Sequence, residues 1–292
     1  MNLLFIGGGN MATALIGGLA SGQVNMQNIH VIEPAEAARD HLLSRFTSAL
    51  RAHGIQFSVD ARTCPAEFSA GVDKTWVILA VKPQHMQAAC KDAHASVRQC
   101  LEQAKVLSIA AGISTQTLSH WTNNPRIVRA MPNTPALVNR GITGLYAPPT
   151  LNDQAKAQAE QLMAAVGSVV WVAEEALMDT VTALSGSGPA YVFRFIEALS
   201  EAGVSLGLHQ TQSLQLTLET LEGALTLLRS SGESPAILRE KVTSKGGTTA
   251  AALASLDQHN FMQNIQTALT AARDRSIEMS KEFKNPTAGQ SR

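Results

Sequence analysis

The chain opens with Leu3-Leu4-Phe5-Ile6-Gly7-Gly8-Gly9-Asn10-Met11-Ala12, an apolar run that stops on glycines, and the stretch after it is apolar again at Ala14, Leu15, Ile16 and Leu19. The pattern is G-x-G-x-x-A between a strand-like and a helix-like segment, the spacing that a dinucleotide pyrophosphate requires. Gly7 permits the tight turn, Gly9 lets the backbone approach the phosphates because it has no Cβ, and Ala12 is small enough for close helix–strand packing. The helix start then offers unpaired N–H groups and the positive end of its dipole to the anion. Glycine turns also serve as plain structural joints, so the flanking strand and helix carry the reading. Ile6, Gly7, Gly8, Gly9, Asn10, Met11 and Ala12 are the first candidate cofactor contacts.

Outward from this turn, short apolar runs recur at 29–32, 55–59, 76–81, 106–110 and 127–131, with helix-like stretches between them at 35–53 and 85–104. The runs at 76–81 and 106–110 are nearly continuous in apolar residues, as strands covered on both faces are. Strand and helix in alternation predict a parallel sheet wrapped by helices, a doubly wound α/β dinucleotide-binding domain. A further helix is expected over 152–165, with Asn152 as its cap, followed by a strand at 169–172. Beyond residue 174 the strand signal disappears and 177–184, 190–208, 211–230, 236–242, 249–256 and 261–283 all read as helices. The expected division is therefore 1–173, an α/β domain, and 174–292, an all-α domain; residues 285–292 read as a frayed polar tail.

Several of the later helices are apolar on more than one face. The stretch 190–208 carries Tyr191, Val192, Phe193, Phe195, Ile196, Leu199, Val204 and Leu206. Such helices need burial on most sides, and a domain of roughly 110 residues has little interior in which to hide them. A second copy of the chain is the expected cover, making the α half a dimerisation domain.

Composition excludes several functions. Lys+Arg and Asp+Glu both number 23, and aromatic residues are 4% of the chain, which leaves no basic stripe with stacking rings for a nucleic acid. No stretch reaches the length of a membrane span, and the N-terminal apolar run is too short and lacks the basic flank of a signal peptide. The three cysteines, Cys64, Cys90 and Cys100, are odd in number and without a C-x-x-C, which points to a reducing compartment and a cytoplasmic protein. Cys90 and His94 lie one helical turn apart, but nothing completes a tetrahedral set, so no metal is expected. No G-x-S-x-G elbow supports a hydrolytic triad.

Five further segments carry candidate chemistry. Glu33 ends the second apolar run, where an acidic side chain binds the adenosine ribose hydroxyls of NAD(H) and repels the 2′-phosphate of NADP(H), an effect that Arg39, further on inside a helix, could partly offset; an ordinary polar strand end is the plainer alternative. Ala80-Val81-Lys82-Pro83 ends the fourth strand, on the side where a parallel sheet binds ligands, with Lys82 near cofactor phosphates or simply in solvent. Met131-Pro132-Asn133-Thr134-Pro135 is a rigid turn at the end of the sixth strand, suited to positioning a ring against a substrate or equally a structural stop, and Asn133 is a candidate cofactor contact. In the α half, Ser185-Gly186-Ser187-Gly188-Pro189-Ala190-Tyr191 and Thr243-Ser244-Lys245-Gly246-Gly247-Thr248-Thr249 each lead into a helix. Hydroxyls and glycine N–H groups at a helix start make a pocket for a carboxylate, or a capped joint.

Taken together, the segments IGGGNMA (6–12), AVKP (80–83), SIAAG (108–112), MPNTP (131–135), LSGSGPAYVF (184–193) and VTSKGGTT (242–249) resemble those of the Δ1-pyrroline-5-carboxylate reductases, over essentially the whole chain. The resemblance implies NADPH- or NADH-dependent reduction of a cyclic imine to L-proline, the last step of proline biosynthesis. It implies a cofactor domain followed by a helical domain that interlocks with a partner into a homodimer, which in this family often assembles further, commonly to a decamer. It places the substrate at the dimer interface. Ser244, Gly247 and Thr248 match the carboxylate-binding positions, and Thr249 matches the hydroxyl near the ring nitrogen, the candidate catalytic contact. Two residues depart from the family pattern. Lys245 stands where many members have proline, and Glu33 stands where members favouring NADPH often carry small or basic residues, so NADH is expected to be at least competitive.

Reduction of an imine needs hydride at carbon and a positive nitrogen. No His, Asp or Glu in these motifs is an obvious proton donor, so positioning is the expected source of rate. The competing enzymatic reading is another two-domain dehydrogenase with a catalytic lysine, for which Lys241 and Lys245 are poorly placed. The competing non-enzymatic reading is a dinucleotide-binding scaffold.

Overall fold

The computed structural model describes residues 1–20 and 24–284, so the tail expected at 285–292 lies outside the described residues. The chain begins with strand β1 (Asn2–Ile6), helix α1 (Asn10–Leu19), β2 (Asn28–Ile32), α2 (Glu36–Ala52), β3 (Gln56–Asp60) and α3 (Ala66–Ala70). It continues through β4 (Thr75–Leu79), α4 (Pro83–Lys91), α5 (Ala95–Gln103), β5 (Lys105–Ser108), α6 (Thr115–Thr122), β6 (Ile127–Met131), β7 (Gly141–Tyr146), α7 (Asp153–Ala164) and β8 (Gly167–Trp171). The eight strands form one sheet in the order β3-β2-β1-β4-β5-β6-β7-β8. Strands β1 to β6 are parallel; β7 runs antiparallel to β6, and β8 is parallel to β7. This is the doubly wound arrangement expected from the sequence, and the strand order reverses between β1 and β4, where such sheets open a ligand crevice.

Alternate residues of each central strand feed two separate cores. Leu3, Phe5, Trp76, Ile78 and Leu107 pack under α1, α2 and α7. Leu4, Ile6, Val77, Leu79 and Val106 pack under α4, α5 and α6. Burial on both faces explains why β1 and β4 read as unbroken apolar runs. Asn152 caps α7 as expected, its side chain accepting the Ala155 N–H at 2.8 Å.

Two details differ from expectation. The helix predicted over 85–104 is two helices, α4 and α5, because His94 caps a fresh start by accepting the Ser96 N–H at 3.3 Å. The strand β7 was not anticipated. Its sequence, GITGLY, has glycines at 141 and 144 that break any apolar alternation.

Among the described residues after Trp171 every regular element is helical: α8 (Leu177–Val181), a π-helical turn (Thr182–Gly186), α9 (Gly188–Ser205), α10 (Gln210–Ser231), α11 (Pro235–Lys241), α12 (Thr248–Gln258) and α13 (Phe261–Lys284). The described chain divides into two compact units. One is Met1–Ser187 with the chain from Ala272 onward, and the other is Gly188–Ala271. Within the second unit, α9 and α10 are fastened by Ser213 Oγ, which donates to Ser200 O at 2.7 Å. Among its described residues only Ser213 and Thr217 are buried. Val192, Phe193, Leu206, Leu216, Leu225 and Leu227 are all more than half exposed. An apolar surface of that extent marks an association face. No helix among the described residues is long and apolar enough to cross a membrane.

Candidate functional site

At the end of β1 the chain turns through Gly7, whose φ is +100°, a conformation that L side chains rarely adopt. A Cβ there would stand 2.8 Å from Ala80 O, so β1 and the end of β4 can approach only because residue 7 is glycine. Gly9 is the N-cap of α1 and supplies no side-chain cap, leaving the first-turn N–H groups of Asn10, Met11 and Ala12 without intrahelical acceptors. A Cβ on Gly9 would meet nothing within 4 Å, since it would project into open space. Ala12 is fully buried under the sheet. The turn thus fits a pyrophosphate: an exposed, uncapped helix start beside a backbone that carries no Cβ.

A cleft of about 880 Å³ runs along these strand ends. Of the residues singled out in the sequence, Ile6, Gly7, Gly9, Glu33, Ala80, Val81 and Lys82 line it. Lys82 caps α4 with extended backbone, is exposed, and makes no ion pair among the described residues. Pro83 is the first residue of α4, where its missing N–H costs nothing. Glu33 accepts two backbone N–H groups that the sequence did not disclose. Its Oε2 accepts the Gly8 N–H at 2.9 Å and its Oε1 accepts the Ala35 N–H at 2.9 Å. Arg39, one turn into α2, reaches back to donate from Nη1 to Glu33 O at 2.9 Å and Pro34 O at 2.6 Å.

The loop after β3 completes the cleft with Ala61 and Arg62, residues that sequence reasoning passed over. Asp60 Oδ1 accepts the N–H groups of Arg62 and Thr63 at 2.7 and 2.6 Å, and these bonds, that from Thr63 foremost, hold the carboxyl below its usual range. His30 on β2 ties the same loop from beneath. Its Nε2 meets Thr63 O at 2.8 Å and its Nδ1 meets Ser58 Oγ at 2.7 Å. A carbonyl can only accept, so Nε2 carries the proton and Nδ1 accepts from the serine. Burial lowers the His30 pKa and keeps the ring neutral.

Asn133 does not line the cleft. Its Oδ1 accepts the Ile142 N–H at 3.0 Å and its Nδ2 donates to Ser185 O at 3.1 Å, joining the 131–135 turn to β7 and to the π-helical turn. That turn holds the Leu184-Ser185-Gly186 segment, and a Cβ on Gly186 would strike the Met131 side chain. Two motifs more than 50 residues apart are therefore packed into one joint. Behind it lies an ion network that the sequence did not announce. Arg129, buried on β6, faces Glu175 and Asp179 at 3.5 Å each. Glu175 also accepts from Thr115 N and Oγ1 at 2.6 and 2.7 Å, and Asp179 accepts from Ser276 Oγ at 2.7 Å.

The second unit holds Ser244, Gly247, Thr248 and Thr249. Gly247 is the N-cap of α12, again without a side-chain cap, so the first N–H groups of this helix are open. Gly246 has φ +73°, which favours glycine, and a Cβ on Gly247 would meet Ser244 Oγ, which would have to rotate away. The start of α12 thus has open N–H groups, with Lys245 exposed beside it.

Comparison with known proteins covers both halves of the chain. A family model described as pyrroline-5-carboxylate reductase dimerisation matches residues 175–279, and one described as NADP oxidoreductase coenzyme F420-dependent matches residues 2–112. A pyrroline-5-carboxylate reductase of Pseudomonas aeruginosa is 40% identical over 96% of this chain and 97% of its own length. Among solved structures, a pyrroline-5-carboxylate reductase of Coxiella burnetii is 36% identical with a TM-score of 0.80, covering 96% of this chain and 98% of that one. A pyrroline carboxylate reductase of Plasmodium falciparum, solved with NADP bound, is 27% identical with a TM-score of 0.76 over 96% and 98% of the two chains.

Proposed function

The chain belongs to the pyrroline-5-carboxylate reductase family, and we infer that it reduces L-1-pyrroline-5-carboxylate to L-proline with NADPH or NADH. The observation that carries this reading is the near-full-length likeness to reductases of that activity, which spans the glycine cleft and the loop before α12 alike. We assign dinucleotide binding to residues 1–173 and dimerisation and substrate recognition to residues 174–292. The exposed apolar face of α9 and α10 supports homo-oligomerisation, as does the match to a dimerisation model. A dimer built on these helices, assembled further to a decamer and working in the cytoplasm, is the state we propose.

The reaction consumes one hydride and one proton. When bound, the reduced nicotinamide supplies the hydride. The C=N carbon receives it, the π pair of the double bond passes to nitrogen, and the protonated iminium is the form best able to accept the charge. The chain's own part is to hold the imine still. Ser244, Gly247 and Thr248 take its carboxylate by charge-assisted hydrogen bonds at the start of α12. Thr249, one residue on, offers its hydroxyl to the ring nitrogen. The glycine turn, with Asn10, Met11 and Ala12 opening α1, grips the pyrophosphate. Positioning of this kind supplies several kcal/mol of the barrier reduction without a dedicated acid.

The test is direct: purified protein, NADPH or NADH, and pyrroline-5-carboxylate, with the absorbance of the reduced nicotinamide followed in time. Loss of absorbance that needs both protein and imine supports the reading. Cofactor binding with no imine-dependent loss makes the protein a scaffold, and reduction of NAD+ or NADP+ by a β-hydroxy acid, with no imine-dependent loss, makes it another dehydrogenase.

A further inference from the structure

Arg62 stands at the Glu33 end of the cleft with its charge uncommitted. It lines the cleft together with Glu33 and Pro34. Its side chain is exposed, and its guanidinium has no hydrogen-bond or ion-pair partner among the described residues. The backbone beneath it is fixed. Asp60 Oδ1 accepts the N–H groups of Arg62 and Thr63, His30 Nε2 donates to Thr63 O, and the Cys64 N–H donates to Ser96 Oγ at 3.2 Å. The backbone of residues 62–64 is thus tied down, and the exposed Arg62 side chain projects from it at the mouth of the cleft.

Glu33 is arranged differently from a free ribose-binding carboxylate. Each of its oxygens accepts a backbone N–H, one from the glycine turn and one from the entry to α2. Arg39 lays its own guanidinium on the carbonyls of Glu33 and Pro34. The acidic charge at this corner is therefore engaged by two N–H dipoles and offset by a neighbouring cation. Asp60 likewise spends its Oδ1 on backbone N–H groups and forms no ion pair with Arg62.

We propose that Arg62 binds the 2′-phosphate of NADP(H), and that Glu33 acts as a brace for the Gly8 turn rather than as the residue that excludes that phosphate. A guanidinium is suited to a phosphate because it offers several coplanar N–H donors to a dianion. The cleft then prefers the phosphorylated dinucleotide, which reverses the expectation drawn from Glu33 alone. The inference rests on the reading of the cleft as the dinucleotide site.

Calorimetric titration of the full-length protein with NADPH, NADH, 2′,5′-ADP and 5′-AMP tests it, for the wild type and for Arg62→Ala. The wild type should bind NADPH more tightly than NADH, and 2′,5′-ADP more tightly than 5′-AMP. Arg62→Ala should weaken the two phosphorylated ligands by about ten- to a hundredfold, the scale of a lost charge-assisted bond, and leave the other two within about threefold. Added salt should narrow the preference of the wild type and leave the variant unmoved. Because Arg62 is exposed, thermal unfolding of the variant should match the wild type and rule out a folding defect. Equal weakening of all four ligands would mean that Arg62 stacks on adenine and would overturn the proposal, as would unchanged binding of all four or a wild type that favours NADH. If the wild type binds neither dinucleotide, the reading of the cleft itself fails.

Discussion

Alanine at Gly7 and alanine at Gly9 should injure the protein in different ways, although the two glycines belong to one motif. At residue 7 the backbone has φ +100°, and the new Cβ would lie 2.8 Å from Ala80 O and 2.9 Å from Val81 Cγ1. The unfavourable φ costs about 1–2 kcal/mol, and forcing a methyl group into packed backbone costs about 1–3 kcal/mol more. Gly7→Ala should therefore lose about 2–5 kcal/mol of unfolding free energy before any cofactor is added. At residue 9, φ is −70° and nothing lies within 4 Å of the new atom. The change of N-cap alone costs no more than about 1 kcal/mol. The methyl group would instead stand between the α1 N–H groups and the phosphates. Losing one or two charge-assisted bonds there should raise the Kd for NADPH about ten- to a hundredfold or beyond. Urea denaturation followed by circular dichroism reads the first effect, and calorimetric titration reads the second. If both variants lose the same stability, or if Gly9→Ala binds NADPH like the wild type, the assignment of separate roles within the turn is wrong.

Three further outcomes follow from the same structure. Thr249→Ala should lower kcat/KM about ten- to a hundredfold, the worth of one hydrogen bond in the transition state, and an unchanged value removes Thr249 from the mechanism. Arg129→Ala leaves Glu175 and Asp179 facing each other across the lost cation; it should cost about 3 kcal/mol in denaturant unfolding, and a loss below about 1 kcal/mol contradicts the network's role. Burial holds His30 below its unfolded pKa of 6.5, so the unfolded chain takes up the proton first. The stability that His30 contributes is complete above about pH 6.5 and is lost as pH falls through the folded pKa. Urea midpoints across that range should slope for the wild type and flatten for His30→Gln, and parallel curves for the two would refute the assignment.

The parallel strands were legible because their burial is simple. A strand covered on both faces, such as β4 with Trp76, Val77, Ile78 and Leu79, is apolar along most of its length. Strand β7 was not legible, because Gly144 is chosen for a close neighbour rather than for strand propensity. A Cβ there would run into Val181, a contact that exists only once the chain has folded. The glycine turn, the ends of β2 and β4, and the loop before α12 could be placed from local pattern, since each couples a special backbone to a helix start. The partners of Glu33 could not. Its bond to Gly8 depends on the pairing of β1 with β2, which brings residues 25 positions apart together. Arg62 was invisible for a related reason: it sits in a loop without periodicity, and only the adjacency of β3 to β2 puts it in the cleft. Asn133 was read as a cofactor contact from its place at a strand end, whereas its amide is spent within the fold on Ile142 and Ser185.

Isotope transfer measures the central claim without an intermediary. With NADPH carrying deuterium on the transferring face of the nicotinamide, and pyrroline-5-carboxylate as substrate, the protein should yield L-proline with one deuterium at the former imine carbon, in step with the cofactor consumed. Proline lacking the label, or consumption of the cofactor without proline, would contradict direct hydride delivery to the imine.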